Sequence, residues 1–239
     1  NMRYKRYDKE FDYSYSFGQF PTIELIKSNK TQLQALILHE KLKITEEISQ
    51  IINYAKMHNA EVITSSKQIE AISGKENCYL VGVFKKYQDT LQSGNHVVLV
   101  SPSDSGNLGT IIRTMLGMGV ENLAIIEQGK NTQNEQELAK TNTSVDIFNP
   151  KVIRASMGSI FSINVQVFHN FSDYQKVFKN NCYAFCLENS QPLGKIQKPS
   201  GNYSLVFGNE ATGLAKDIIE KCTPVRIEQS NKIDSFNLA

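Results

Sequence analysis

Over the first 90 residues the apolar positions switch repeatedly between the two periods that regular backbone allows. In EEISQIINYAKMHN, Ile48, Ile51, Ile52 and Ala55 recur at helical spacing, which predicts an amphipathic helix. IELIKS and KQIEAIS read as shorter helices. QALILHE, AEVITS and CYLVGVF read as strands, the last rich in β-formers. Together they predict a small α/β unit over 1–90. KYQDTLQSGN, at 86–95, is polar and ends in Ser-Gly-Asn, a linker signal.

From His96 the pattern restarts. HVVLV is a short continuous apolar run, as expected of a strand covered on both faces. Leu108, Ile111, Ile112, Met115 and Leu116 then form one helical stripe, which GMGVEN at 117–122 closes with a glycine stop. NLAII, INVQVF, CYAFCLE, YSLVFG and PVRIEQ read as strands. PKVIRASMGSIF, FSDYQKVFK and GLAKDIIEKC read as helices between them, the first with Pro150 in its opening turn. Strands alternating with helices over 91–239 predict an α/β fold, a mostly parallel sheet with helices on both faces. The polar stretch 127–144 is expected to be a mobile surface loop.

Composition narrows the class. Apolar residues make up 40% and charged residues 21%, ordinary for a globular chain, and no apolar run reaches the roughly 18 residues of a membrane helix. NMRYKRYDKE has no apolar signal core, so the cytoplasm is the expected location. The net charge of +2 neither demands nor excludes nucleic acid, although MRYKRYDK mixes cations with tyrosines that could stack on bases. Cys182 and Cys186 in CYAFC have the wrong spacing for a zinc knuckle. With Cys78 and Cys222 they are expected to be reduced thiols, and no metal is expected.

Three segments carry chemistry. SDSGNLGTIIRT follows HVVLV, and its glycines with Asn107 suggest a turn opening the helix. Arg113 lies about 140° from Leu108 around that helix, off the apolar stripe and free to project. By itself it reads better as a solvated surface arginine after a tight turn. In LVFGNEATGL, Gly208 follows a strand and Glu210 precedes a helix. The carboxylate is either a helix-terminal charge or a group at the strand end where open α/β sheets bind ligands. In IDSFNLA an extended backbone puts Ser235 and Asn237 on one side and Phe236 and Leu238 on the other. That suits a polar site with apolar backing, or a half-buried strand end. GNLGTI lacks the lysine of a phosphate loop, and no G-x-G-x-x-G links a strand to a helix.

In order, the three segments resemble the SpoU/TrmH-type RNA ribose 2′-O-methyltransferases of the SPOUT class. Asn107, Gly109 and Arg113 match its first motif; Gly208, Glu210, Gly213 and Leu214 its second; Ser235, Phe236 and Asn237 its third. VIRASMGSIF is similar to the helix between the first two motifs. The resemblance spans 96–239. It implies a trefoil-knotted sheet that binds S-adenosylmethionine (SAM) and a homodimer with RNA, ribosomal RNA ahead of transfer RNA, as substrate. It further implies a cofactor held by Gly208, Ile227 and Phe236, and a catalytic set of Arg113, Asn107, Glu210, Ser235 and Asn237. The unit at 1–90 is similar to the small RNA substrate-binding domain many members carry, leaving 91–239 as the methyltransferase domain. Two departures stand out: IEQSNKIDS replaces a common Pro-Met-Gly-containing stretch, and Phe236 replaces a leucine. Leu238 and Ala239 read as the opening of a further helix.

Overall fold

A computed structural model describes residues 4–74, 77–127, 145–230, 232–233 and 236–239. Residues 128–144, expected as a loop, and Ser235 lie outside them. The chain forms two compact units. One holds the described residues of 1–88 together with Leu108–Arg113 and Asp146–Ser162; the other holds Asp89–Asn107, the described part of 114–145 and the described residues from Ile163 onward.

In the first unit, β1 (Tyr13–Phe17), β2 (Leu33–Leu38), β3 (Glu61–Thr64) and β4 (Leu80–Lys85) form a mixed sheet in the order β1-β4-β2-β3. β4 runs antiparallel to both β1 and β2, and β2 runs parallel to β3. The helices are α1 (Gln19–Lys27), α2 (Glu46–Met57) and α3 (Ser66–Ser73). α2 buries Ile48, Ile51 and Ala55 of the stripe read from the sequence and half-buries Ile52. Its start is fixed by the Thr45 side chain, which accepts from the Ile48 N–H. β1 is a strand the pattern does not predict. Its serines are buried because their hydroxyls find partners: Ser14 Oγ donates to the Phe148 carbonyl at 2.5 Å, and Ser16 Oγ lies 2.8 Å from Thr22 Oγ1.

The second unit is built on seven parallel strands: β5 (His96–Val100), β6 (Asn122–Ile126), β7 (Asn164–Phe168), β8 (Asn181–Phe185), β9 (Gln191–Pro192), β10 (Tyr203–Phe207) and β11 (Thr223–Arg226). Their order is β7-β6-β5-β10-β8-β11-β9, with every pairing parallel. Among the described residues the α-helices after β5 are α4 (Ser105–Gly117), α5 (Pro150–Ala155), α6 (Phe171–Val177) and α7 (Lys216–Ile219); α5 and Leu108–Arg113 of α4 belong to the first unit. All five residues of both β5 and β6 are buried, as expected of strands covered on two sides. Val98, Ala124, Phe168, Tyr174, Val206 and Ile218 are central to the core. The four cysteines are free thiols.

Two local expectations change. The helix predicted over 150–161 stops at Ala155, because Met157 and Gly158 take φ of 54° and 82°, which a right-handed helix cannot continue. The chain resumes as a 3₁₀ turn at Ser159–Ser162. The glycine–asparagine turn at 105–109 is also absent: Ser105 already begins α4, capped by Asp104.

Candidate active site

In the second unit β5 and β10 are neighbours whose onward connections part company. The chain leaves β5 toward β6 on one side and leaves β10 toward β11 on the other, beyond β8. Such a switch point opens a crevice at the carboxyl ends of the two strands, the usual ligand position in an open α/β sheet. The loops there are 101–104 and 208–213.

These loops are stitched together by side chains. Asn209 Nδ2 donates to the Ser101 carbonyl at 2.8 Å, while Asn209 Oδ1 accepts from the Ala211 N–H at 2.9 Å and the Thr212 N–H at 3.2 Å. Glu210 Oε2 accepts from Ser103 Oγ at 2.8 Å and the Ser103 N–H at 3.2 Å; Oε1 accepts from the Asp104 N–H at 3.4 Å. Partial desolvation alone would raise the Glu210 pKa. Its own backbone N–H and the donors from Ser103 and Asp104 outweigh that and hold it below the usual carboxylate range. Glu210 is thus an ionised clasp across the switch point, and its contacts are to the 101–104 loop rather than to the helix that follows.

Gly208 is required by the same construction. A Cβ there would fall 2.2–2.5 Å from the backbone of Gly213 and Leu214, so the loop that carries Glu210 closes only over glycine.

α4 starts where the clasp ends. The Asp104 carboxylate accepts from the Asn107 N–H at 2.7 Å and so caps the helix start. Asn107 Oδ1 accepts from Asn237 Nδ2 at 3.3 Å, which brings the first and third motifs together. One turn further, Gly109 lets α4 approach α5: a Cβ there would lie 2.4 Å from Ala155 Cβ and 2.8 Å from Val152 O. Arg113 is exposed on α4, six residues beyond Asn107 and about 9 Å along the axis; it belongs to the first unit.

Two of the other predicted positions lie at the carboxyl ends of strands. Gly208 follows β10 and Ile227 follows β11, with β8 between them. Ile227 is 48% exposed and Phe236 54% exposed. Leu187, two residues past β8 and 54% exposed, adds an apolar side chain that the sequence reading misses. Ser103 and Asn209 escape it as well, although Asn209 lies between two positions that the second motif marks. Leu187 and Ile227 follow neighbouring parallel strands, at the end of the sheet where such folds bind ligands. Among the described residues no group of three His, Cys, Asp or Glu could hold a metal ion, and no helix is long and apolar enough to cross a membrane.

A parallel sheet with Glu210 bonded to the 101–104 loop at its switch point, and Asn237 bonded to Asn107, is the frame in which comparison with known proteins places the chain. Residues 94–239 match the sequence model of the SpoU rRNA Methylase family, and the chain belongs to that family. It is 30% identical over 138 residues to the 23S rRNA (guanosine(2553)-2′-O)-methyltransferase RlmP of Bacillus subtilis, covering 56% of this chain and 49% of that protein. It is 28% identical over 144 residues to the tRNA (cytidine-2′-O-)-methyltransferase TrmJ of Methanocaldococcus jannaschii, covering 60% and 61%. The chain thus spans about half to three-fifths of the length of these curated relatives. In fold it is similar to an AdoMet-bound rRNA methyltransferase from Sinorhizobium meliloti, with TM-score 0.78, 24% identity, and coverage of 95% of this chain and 82% of that one.

Proposed function

We propose that the chain transfers a methyl group from SAM to a ribose 2′-hydroxyl of RNA. The observation that carries this reading is the bond between Asn237 and Asn107, which joins two motifs 130 residues apart in the loop region that the Glu210 clasp builds. The relatives' printed activities, all RNA 2′-O-methylation where a reaction is stated, support it.

Gly208, Ile227 and Phe236, with Leu187 beside them, would hold the cofactor, their exposed apolar groups taking its adenosine. When bound, SAM supplies a methyl group on a sulfonium centre, open to in-line attack. A guanidinium keeps its proton, so Arg113 binds the phosphate next to the target ribose and stabilises negative charge developing on the 2′-oxygen. The proton leaves to a phosphate oxygen or to water. The Asn107 and Asn237 amides, with Ser235, shape the ribose pocket, and Glu210 holds the loops in register. A required 2′-hydroxyl restricts the substrate to RNA.

Ribosomal RNA is the favoured substrate, because an N-terminal RNA-binding domain over 1–90, in addition to a methyltransferase domain over 91–239, would suit recognition of folded RNA. A cytoplasmic homodimer is part of the same reading.

The test is transfer of labelled methyl groups from SAM to purified rRNA and, separately, tRNA, with Arg113→Ala as control. Label in one pool that disappears in the variant supports the reading and selects the substrate. A chain that binds SAM and RNA yet labels neither pool would make it a non-catalytic RNA-binding protein of the same fold.

A further inference from the structure

The first unit contains a concave site remote in sequence from all three motifs. It is a cavity of about 270 Å³ lined by Arg6 and Tyr7 ahead of β1, Phe17 at the end of β1, Ile72 on α3, and Lys151 and Arg154 on α5. Among the described residues no carboxylate lines it. None of Arg6, Lys151 and Arg154 forms an ion pair with another described residue, and all three are exposed. Three cations around one cavity, Arg6 from the N-terminal stretch and Lys151 and Arg154 from α5, repel each other unless an anion joins them.

The remaining walls are apolar or aromatic. Ile72 is buried and Phe17 half-buried. The Tyr7 hydroxyl donates to the Asp146 carboxylate, which fixes the ring and leaves that carboxylate engaged with the tyrosine. Lys86 Nζ lies 4.8 Å from the Tyr7 ring centroid outside the lining, its charge offset by Asp146, Glu10, Asp8 and Asp12, so the charge of the cavity itself rests on Arg6, Lys151 and Arg154. The volume is a little below the ~300 Å³ at which pockets for larger ligands begin. It suits one compact group with an anionic end and a flat apolar end.

We propose that this cavity receives one unpaired nucleotide of the RNA substrate. The phosphate engages Arg6, Lys151 and Arg154, and the base rests against Phe17 and Ile72. Splayed bases on aromatic side chains, with phosphates on arginines, are the usual way proteins hold single-stranded RNA. The inference rests on the reading of the chain as acting on RNA, and it adds where part of that RNA docks.

The test uses the full chain and a short fluorescein-labelled single-stranded RNA of mixed sequence, followed by anisotropy over a range of salt. Arg6→Gln, Lys151→Gln and Arg154→Gln should each weaken binding roughly three- to tenfold and flatten the salt dependence, by no more than about one phosphate contact for the three together. Lys56→Gln, an exposed cation on α2, should change neither. Uridine monophosphate should compete better than inorganic phosphate; equal competition would remove the base from the proposal. Circular dichroism checks that each variant is folded. Wild-type chain that binds SAM by calorimetry but no RNA overturns the reading of the substrate, and the pocket with it. RNA binding that all three pocket variants leave intact overturns the pocket alone.

Discussion

Asn237 Nδ2 donates to Asn107 Oδ1 at 3.3 Å, the bond that ties the chain's last residues to the first turn of α4. Both side chains are partly or fully exposed, so the bond contributes at most about 0.5–1.5 kcal/mol to stability. Its expected weight is in catalysis. Asn107→Ala and Asn237→Ala should each lower kcat/KM for methyl transfer roughly ten- to a hundredfold. The double variant should lose less than the product of the two, because both changes remove one shared bond. Strictly multiplicative losses would mean that the two amides act separately.

Gly109 poses a contest between helix propensity and packing. Alanine is favoured over glycine by up to about 1 kcal/mol inside a helix. Here, however, the added Cβ would lie 2.4 Å from Ala155 Cβ and 2.8 Å from the Ser156 nitrogen and the Val152 carbonyl. Two of those three neighbours are backbone atoms that cannot swing aside. Overpacking of this kind costs about 1–3 kcal/mol or more, so Gly109→Ala should lower the melting temperature. At Gly117, the other end of α4, an added methyl group would meet nothing within 4 Å. Gly117→Ala should therefore leave stability unchanged or raise it by a few tenths of a kcal/mol. Thermal melts of the two variants side by side check the contrast.

The same contrast explains what the sequence reveals and what it hides. Apolar periodicity locates α2, α4 and the buried strands β5 and β6, because each buries one continuous stripe or run. β1 escapes because YSYSF looks polar, and only the structure shows acceptors for Ser14 and partners for Ser16. The break after Ala155 depends on positive φ at Met157 and Gly158, and a methionine gives no warning of that. Motif order places Asn107, Glu210 and Asn237 in one region. The clasp from Glu210 to Ser103 is not legible, since it requires β10 to lie beside β5, a pairing between strands more than 100 residues apart in sequence. The glycine pair in SDSGNLG reads as a turn, whereas its purpose, at Gly109, is a close approach to a helix some 40 residues further on.

Glu210→Gln isolates the charge on the clasp. The glutamine keeps the length of the side chain but not the carboxylate that accepts from Ser103 and Asp104. The native carboxyl titrates below its ordinary range, since hydrogen bonds outweigh its desolvation. Its contribution to stability is therefore present above the unfolded value near 4.3 and lost as pH falls through the lower folded value. At neutral pH the variant should melt slightly below wild type, by about 1 kcal/mol or less for so exposed a group. The two should converge under acid conditions. A gap that stays constant across the whole range would mean that the charge is not what the clasp uses.

His96 gives the opposite chemical type with the same sign of pH dependence, at higher pH. It is fully buried, with Nε2 2.8 Å from the Gln92 carbonyl and Nδ1 2.8 Å from the Tyr174 hydroxyl. A carbonyl only accepts, so Nε2 carries the proton and Nδ1 accepts from Tyr174, whose oxygen lies 2.5 Å from Ser204 Oγ. Phe178 packs against the ring with centroids 4.6 Å apart. Burial lowers the imidazole pKa, and the bond to Gln92 offsets this only in part. The unfolded chain takes up a proton near 6.5 while the folded chain stays neutral until lower pH, so acidification favours unfolding. Wild type should lose up to about 1.4 kcal/mol per pH unit within that window from this one group. His96→Gln retains a donor and an acceptor but cannot titrate. Its stability at pH 7 should be lower, and its loss between pH 7 and pH 5 distinctly smaller. Denaturant melts of both proteins at the two pH values decide it: parallel losses would place the acid sensitivity elsewhere in the chain.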